Sequence, residues 1–163
     1  MVNGNSKFTR RSSAEQVTEG IDLNGKTVLI TGVNSGLGFE SMRVLSMRGA
    51  HIIAAARSLA KAEQACVEVK ALVQGASMTP VACELSEPES VLACVRSVQE
   101  KFTRIDVLMA NAGIMSPSIL QIANGYAQPL EIQFAANHLG HFLLINHLLP
   151  QLKNAHQGRI VLL

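Results

Sequence analysis

Two glycine-spaced segments carry the residues best suited to holding a phosphate. Gly20-Ile21-Asp22-Leu23-Asn24-Gly25-Lys26-Thr27 fits the pattern G-x-x-x-x-G-K-S/T. In that pattern backbone amides and the lysine grip a nucleotide phosphate while the hydroxyl takes its metal. The second segment, Thr31-Gly32-Val33-Asn34-Ser35-Gly36-Leu37-Gly38, is spaced G-x-x-x-G-x-G. Glycines there permit a tight turn and clear side chains from the approach of a pyrophosphate. A helix starting at the turn would add unpaired amides and the positive end of its dipole. Both segments offer phosphate chemistry, and the elements around each decide between them.

The elements favour the second segment. Lys26-Thr27-Val28-Leu29-Ile30-Thr31 is short, apolar and β-branched, and reads as a buried strand. The first motif therefore precedes a strand, whereas a phosphate loop must follow one. In a strand, Lys26 and Thr27 point to opposite faces and cannot converge on one phosphate. The second motif follows that strand and leads into a helical segment, about Leu37 to Arg48, that stops at Gly49.

The rest of the chain continues the alternation. His51 to Ala56 is a second strand, and Ser58 is placed to cap a helix from about Leu59 to Val73. Met78 to Cys83 is a third strand. Ser86 is placed to cap the next helix, with Pro88 and Glu89 in its first turn. Asp106 to Ala110 is a fourth strand, closed by Asn111-Ala112-Gly113. Residues 114–128 form a loop, Leu130 to Leu152 a long helix, and Ile160 to Leu163 a fifth strand. Strands alternating with helices require parallel strands joined by right-handed crossovers, an α/β doubly wound sheet. Upstream, residues 1–20 read as an arm with a short helix, in which Ser12-Ser13-Ala14-Glu15 fits a capping box and Gly20 ends the turn.

Composition narrows the function classes. Hydrophobic residues make up 48% and charged residues 16%, so the chain is globular. With five Phe, one Tyr and no Trp, its core is aliphatic. A net charge of +2 without a basic run argues against a nucleic-acid face. Cys66, Cys83 and Cys94 lack metal-ligand spacing and read as reduced, buried thiols. His138 and His141 stand three apart on one helix, but without a companion acid or cysteine no metal is expected. The polar stretch from Met1 to Asn24 has no apolar signal core, and no apolar run is long enough to span a bilayer. The expected location is the cytoplasm.

Three motifs in order, Thr31-Gly32-x-x-x-Gly36-x-Gly38, Asn111-Ala112-Gly113 and Asn137-His138-Leu139-Gly140, resemble those of the short-chain dehydrogenase/reductase family. The run Asn137 to Leu144 and the upstream Ile21-Asp22-Leu23-x-Gly25-Lys26 look most like the branch of retinol dehydrogenases and WW-domain oxidoreductases. The resemblance covers about residues 22–163. It implies a Rossmann-type sheet and hydride transfer between a nicotinamide cofactor and an alcohol/carbonyl pair. By position, Gly32, Asn34, Ser35, Gly36, Leu37 and Gly38 would hold the diphosphate. Asn111, Ala112 and Gly113 would line the nicotinamide ribose, Asn111 also tying neighbouring strands. Leu85 would sit near adenine, preceded by Glu84 where the family usually has Asp. Such enzymes place an acid at the end of the second strand for a ribose hydroxyl, or an arginine for a 2′-phosphate. The chain has Ala55-Ala56-Arg57, so NADP is expected over NAD.

The family's chemistry uses Asn, Ser, Tyr and Lys. Asn137 is the one member with a match, where the family bends the helix and holds a water. The single tyrosine, Tyr126, is followed four residues on by Leu130 instead of Lys, and it precedes the Asn137 helix. A phenol near pKa 10 needs a cationic neighbour to work near neutral pH. Tyr126 is therefore assigned to a loop or the substrate side. Two expectations follow: the chain is the nucleotide-binding part of an NADP-dependent oxidoreductase acting on a small alcohol or carbonyl compound, or a truncated, non-catalytic binding or interaction module. In the family's strand order, 3-2-1-4-5-6, ending after the fifth strand leaves Ile160-Val161-Leu162-Leu163 as an apolar edge, open to self-association.

Overall fold

The computed structural model describes residues 8–115 and 117–163. Of the arm expected over residues 1–20, residues 1–7 lie outside the described residues, as does residue 116 of the loop expected over 114–128. Five strands form one parallel sheet: β1 (Thr27–Thr31), β2 (His51–Ala56), β3 (Ser77–Ala82), β4 (Val107–Ala110) and β5 (Arg159–Leu162). Their order is β3-β2-β1-β4-β5, as the doubly wound pattern requires. The switch point lies at β1, which pairs Val28 with Ile52 on one side and with Val107 on the other. Pro80 sits in β3, an edge strand, where a missing amide costs least.

Alternation along the strands builds two cores. Val28 and Ile30 pack with Ile52, Ala54, Met42, Ala62 and Val69 on the side of α2 (Gly36–Met47) and α3 (Leu59–Leu72). Leu29 and Ile53 point the other way, toward α4 (Pro88–Lys101) and α5 (His141–Lys153), and pack with Val91, Val95, Leu144 and Leu148. Each fully buried Leu, Ile or Val contributes roughly 1.5–3 kcal/mol of gross transfer energy, so both faces of the sheet must be covered. β5 is the exception: all four of its residues are exposed.

Local geometry departs from the sequence reading in four places. The short helix α1 (Ala14–Val17) is capped one residue later than expected. Ser13 Oγ accepts from Gln16 N and Gln16 Oε1 accepts from Ser13 N, so the box is Ser13 with Gln16, not Ser12 with Glu15. Glu87, not Ser86, occupies the cap position of α4, because Ser86 Oγ is spent on Glu84 Oε1 at 2.8 Å. Ser58 does occupy the cap position of α3, but its side chain makes no cap hydrogen bond. The long helix expected from Leu130 starts later: Glu131 pairs with Ile122 in an antiparallel bridge, and Phe134–Gly140 is a π-helical segment leading into α5.

The rejected phosphate motif has a structural role instead. Lys26 Nζ lies 3.2 Å from Asp106 Oδ1, and Thr27 N donates to Asp106 Oδ2 at 3.0 Å. These bonds join the starts of β1 and β4, at the end of β1 away from Thr31. Among the described residues, no helix is long and apolar enough to cross a membrane.

Candidate functional site

A cavity of about 430 Å3 opens where β1, β2, β3 and β4 end. Carboxyl ends of parallel strands next to a switch point are where open α/β sheets bind ligands. Gly32, Asn34, Ser35, Leu37 and Gly38 line one wall, from the turn between β1 and α2. Arg57 follows β2; Cys83, Glu84, Leu85 and Ser86 follow β3. Asn111, Ala112, Gly113 and Ile114 follow β4, and Ile132, Ala136 and Asn137 close the far side. The structure thus brings together every site residue expected from sequence except Gly36, which belongs to the turn without lining the cavity. Its φ of +56° explains why glycine stands there.

The turn is built for close backbone packing. A Cβ on Gly38 would lie 2.3 Å from Gly32 O and 2.5 Å from Asn111 Nδ2, so only glycine lets α2 begin against the turn. Ser35, at the cap position of α2, makes no side-chain cap bond. The amides of that first turn are left for another acceptor, beside a cavity that Leu37 and Gly38 line. These observations fit a bound diphosphate: the backbone is bare and donors are present.

Thr31 is the hub that sequence reading passed over. Its Oγ1 accepts from Asn111 N and Ala112 N, both at 3.0 Å, and lies 2.9 Å from His141 Nε2. A β-branched residue ending an apolar strand reads as strand propensity, so the hydroxyl's work is invisible without the fold. Asn111 Nδ2 donates to Thr31 O at 2.8 Å, tying β1 to β4 as expected. Cys83, Ser86, Ile114, Ile132 and Ala136 also join the cavity without having been picked out; their residue types carry no signal.

Arg57 is exposed at the cavity, and no hydrogen bond or ion pair engages it among the described residues. Glu84 is turned back on its own loop: Oε1 accepts from Ser86 N at 3.2 Å and from Ser86 Oγ at 2.8 Å. The Asn137 side chain pairs with the backbone of Ile114, Oδ1 accepting from Ile114 N at 2.8 Å and Nδ2 donating to Ile114 O at 2.9 Å. It sits in the π-helical segment, so the helix is widened there, with that amide pair facing the loop after β4. Burial lowers the pKa of His141, against the raising effect of the Asn137 carbonyl. Tyr126 is half-buried and lies outside the cavity, and burial raises its pKa, away from the range of a general base. His138 stacks on Phe134 at 5.3 Å between ring centres, while His141 turns inward. Cys66, Cys83 and Cys94 are buried free thiols.

Comparisons with known proteins agree with this geometry. The family model for short chain dehydrogenase matches residues 26–163. Human retinol dehydrogenase 14 is 41% identical over 85% of this chain and 44% of its own length. The short-chain dehydrogenase TIC 32 B, chloroplastic, of Brassica napus is 37% identical over 97% of this chain and 50% of its own length. The L-sorbose reductase of Gluconobacter frateurii, solved with NADPH and L-sorbose, superposes with a TM-score of 0.69 at 26% identity, covering 86% of this chain and 52% of that one. The chain spans about half the length of the curated relatives it matches. From the glycine turn to Asn137, the chain belongs to the short-chain dehydrogenase family, with retinol dehydrogenases among its relatives.

Proposed function

We propose that this chain is the nucleotide-holding part of an NADP-dependent oxidoreductase that moves hydride between the cofactor and a small alcohol or carbonyl compound. The carrying observation is the convergence of Gly32, Gly38, Arg57, Leu85, Asn111 and Asn137 on one cavity at the carboxyl ends of the strands. The diphosphate lies on the bare turn and the first-turn amides of α2. Arg57, exposed and unengaged among the described residues, pairs with the 2′-phosphate in a forked geometry. Leu85 packs on adenine. Glu84, whose Oε1 is held by Ser86, would border the same ring. Asn111, Ala112 and Gly113 border the nicotinamide ribose.

The bound cofactor supplies or accepts the hydride; the chain's residues hold and orient it. Asn137 holds the loop after β4 through the backbone of Ile114. Within residues 1–163, the acid/base tyrosine–lysine pair has no match, so this chain alone binds cofactor without turnover. The reading keeps it in the cytoplasm; TIC 32 B is chloroplastic by name, and cell fractionation is the check.

Arg57→Ala tests the cofactor choice. NADPH binding, followed by its fluorescence, should weaken roughly 10- to 100-fold, and NADH binding by less than about threefold, as for loss of one charge-assisted contact. Equal losses for both would contradict the role given to Arg57.

A further inference from the structure

We propose that His141, held as the neutral tautomer with the proton on Nδ1, is a positioning residue that locks the glycine turn, the exit of β4 and the Asn137 segment into one cavity wall. The inference rests on the reading of this cavity as a dinucleotide site. His141 is buried at 6% exposure and does not itself line the cavity. Both of its ring nitrogens are engaged: Nδ1 lies 3.0 Å from Asn137 O, and Nε2 lies 2.9 Å from Thr31 Oγ1 across 110 positions of sequence.

Valence fixes the protons. A backbone carbonyl only accepts, so Nδ1 carries hydrogen and donates to Asn137 O. Thr31 Oγ1 has two lone pairs, and the amides of Asn111 and Ala112 fill both. A third donor at that oxygen would displace one of them. The Thr31 hydroxyl therefore donates; it has two acceptors in reach, Nε2 at 2.9 Å and the Met109 carbonyl at 3.4 Å, and the nearer, Nε2, takes the hydrogen bond. His141 donates its own amide to His138 O, and its imidazole reaches back to the carbonyl of Asn137. Because the Asn137 side chain grips both the amide and the carbonyl of Ile114, the chain of contacts runs from Thr31 through His141 and Asn137 to Ile114. Thr31, Asn137 and Ile114 all border the cavity. The preceding Gly140 keeps the helix close: a Cβ there would stand 2.1 Å from Leu85 O, on another cavity wall.

His141→Phe keeps the ring and removes both nitrogens. It should weaken NADPH binding by the 163-residue chain about tenfold, the cost of losing one buried hydrogen bond that links the cavity walls. His141→Gln, which retains a donor and an acceptor, should recover binding to within about threefold. Adding Thr31→Val to His141→Phe should cost less than the two single losses combined, because the partners act as one unit. In the unmodified chain, nitrogen NMR of labelled histidine should show Nδ1 protonated and Nε2 bare. A protonated Nε2 overturns the inference, whether or not any variant folds. So does wild-type affinity for NADPH in folded His141→Phe, while leaving the dinucleotide reading intact. If the folded wild type binds no NADPH, the dinucleotide reading itself fails; the nitrogen spectrum then still reports separately on the hydrogen bonds.

Discussion

Gly38 is the residue on which the turn depends most directly. Its missing side chain leaves room for Gly32 O and the Asn111 amide, at distances a methyl group would bring below van der Waals contact. Backbone cannot move aside as a flexible side chain can. Gly38→Ala should therefore destabilise the chain by about 1–3 kcal/mol, the usual cost of overpacking, and reduce NADPH affinity more than tenfold. Thermal melts by circular dichroism, read beside a cofactor titration, check both. A variant with unchanged melting and affinity would mean that the turn opens more easily than its packing indicates. The alternative phosphate motif gives the contrasting case. Lys26 is committed to Asp106, and the same change at Gly25, where a Cβ meets no atom but a φ of +72° strains any side chain, should cost some stability and leave NADPH affinity of the folded chain unchanged.

At the scale of elements, the strand order depends on β1 lying between β2 and β4, and Asp106 helps hold that register. Burial by itself would raise the Asp106 carboxyl. The Thr27 amide, the Lys26 ammonium and the nearby Arg104 together outweigh it and hold the group below its ordinary value. A lowered folded-state pKa stabilises the fold above the unfolded value, near 3.9, and that contribution is lost as pH falls through the folded value. Asp106→Asn should be less stable at neutral pH by about 1–3 kcal/mol, as for a buried acceptor lost to an amide. Below about pH 4 its melting temperature should fall less steeply than that of the wild type, since it has no carboxylate there to protonate. Parallel slopes would remove Asp106 from the acid response.

Most elements were legible because period-2 and period-3.6 patterns alternate cleanly from Thr27 onward. The cavity was legible through Gly32, Arg57, Asn111 and Asn137, whose types and places at strand ends carry chemistry. What escaped was set by contacts between distant residues. The π-helical segment at Phe134–Gly140 has an ordinary helical composition, and its widening accompanies the bond of His141 to Thr31 in β1. The shift of the first capping box by one residue reflects the choice of Gln16 over Glu15, two side chains that both satisfy the pattern.

At the scale of the molecule, the sheet ends in two edge strands, β3 and β5, and β5 is the more exposed. Ile160, Val161, Leu162 and Leu163 are 38–71% exposed, and β5 presents unpaired backbone along one side. The 163-residue chain should associate through this edge at micromolar concentrations, and Val161→Lys should shift sedimentation toward monomer. A monomeric wild type with a sharp thermal transition would contradict that. The central claim is that the cavity beside the glycine turn holds NADP. Calorimetric titration of the chain with NADPH, NADH and magnesium–ATP tests it directly. The account predicts one NADPH per chain, bound more tightly than NADH, with no magnesium-dependent binding of ATP. A folded chain that binds magnesium–ATP and not NADPH would contradict it.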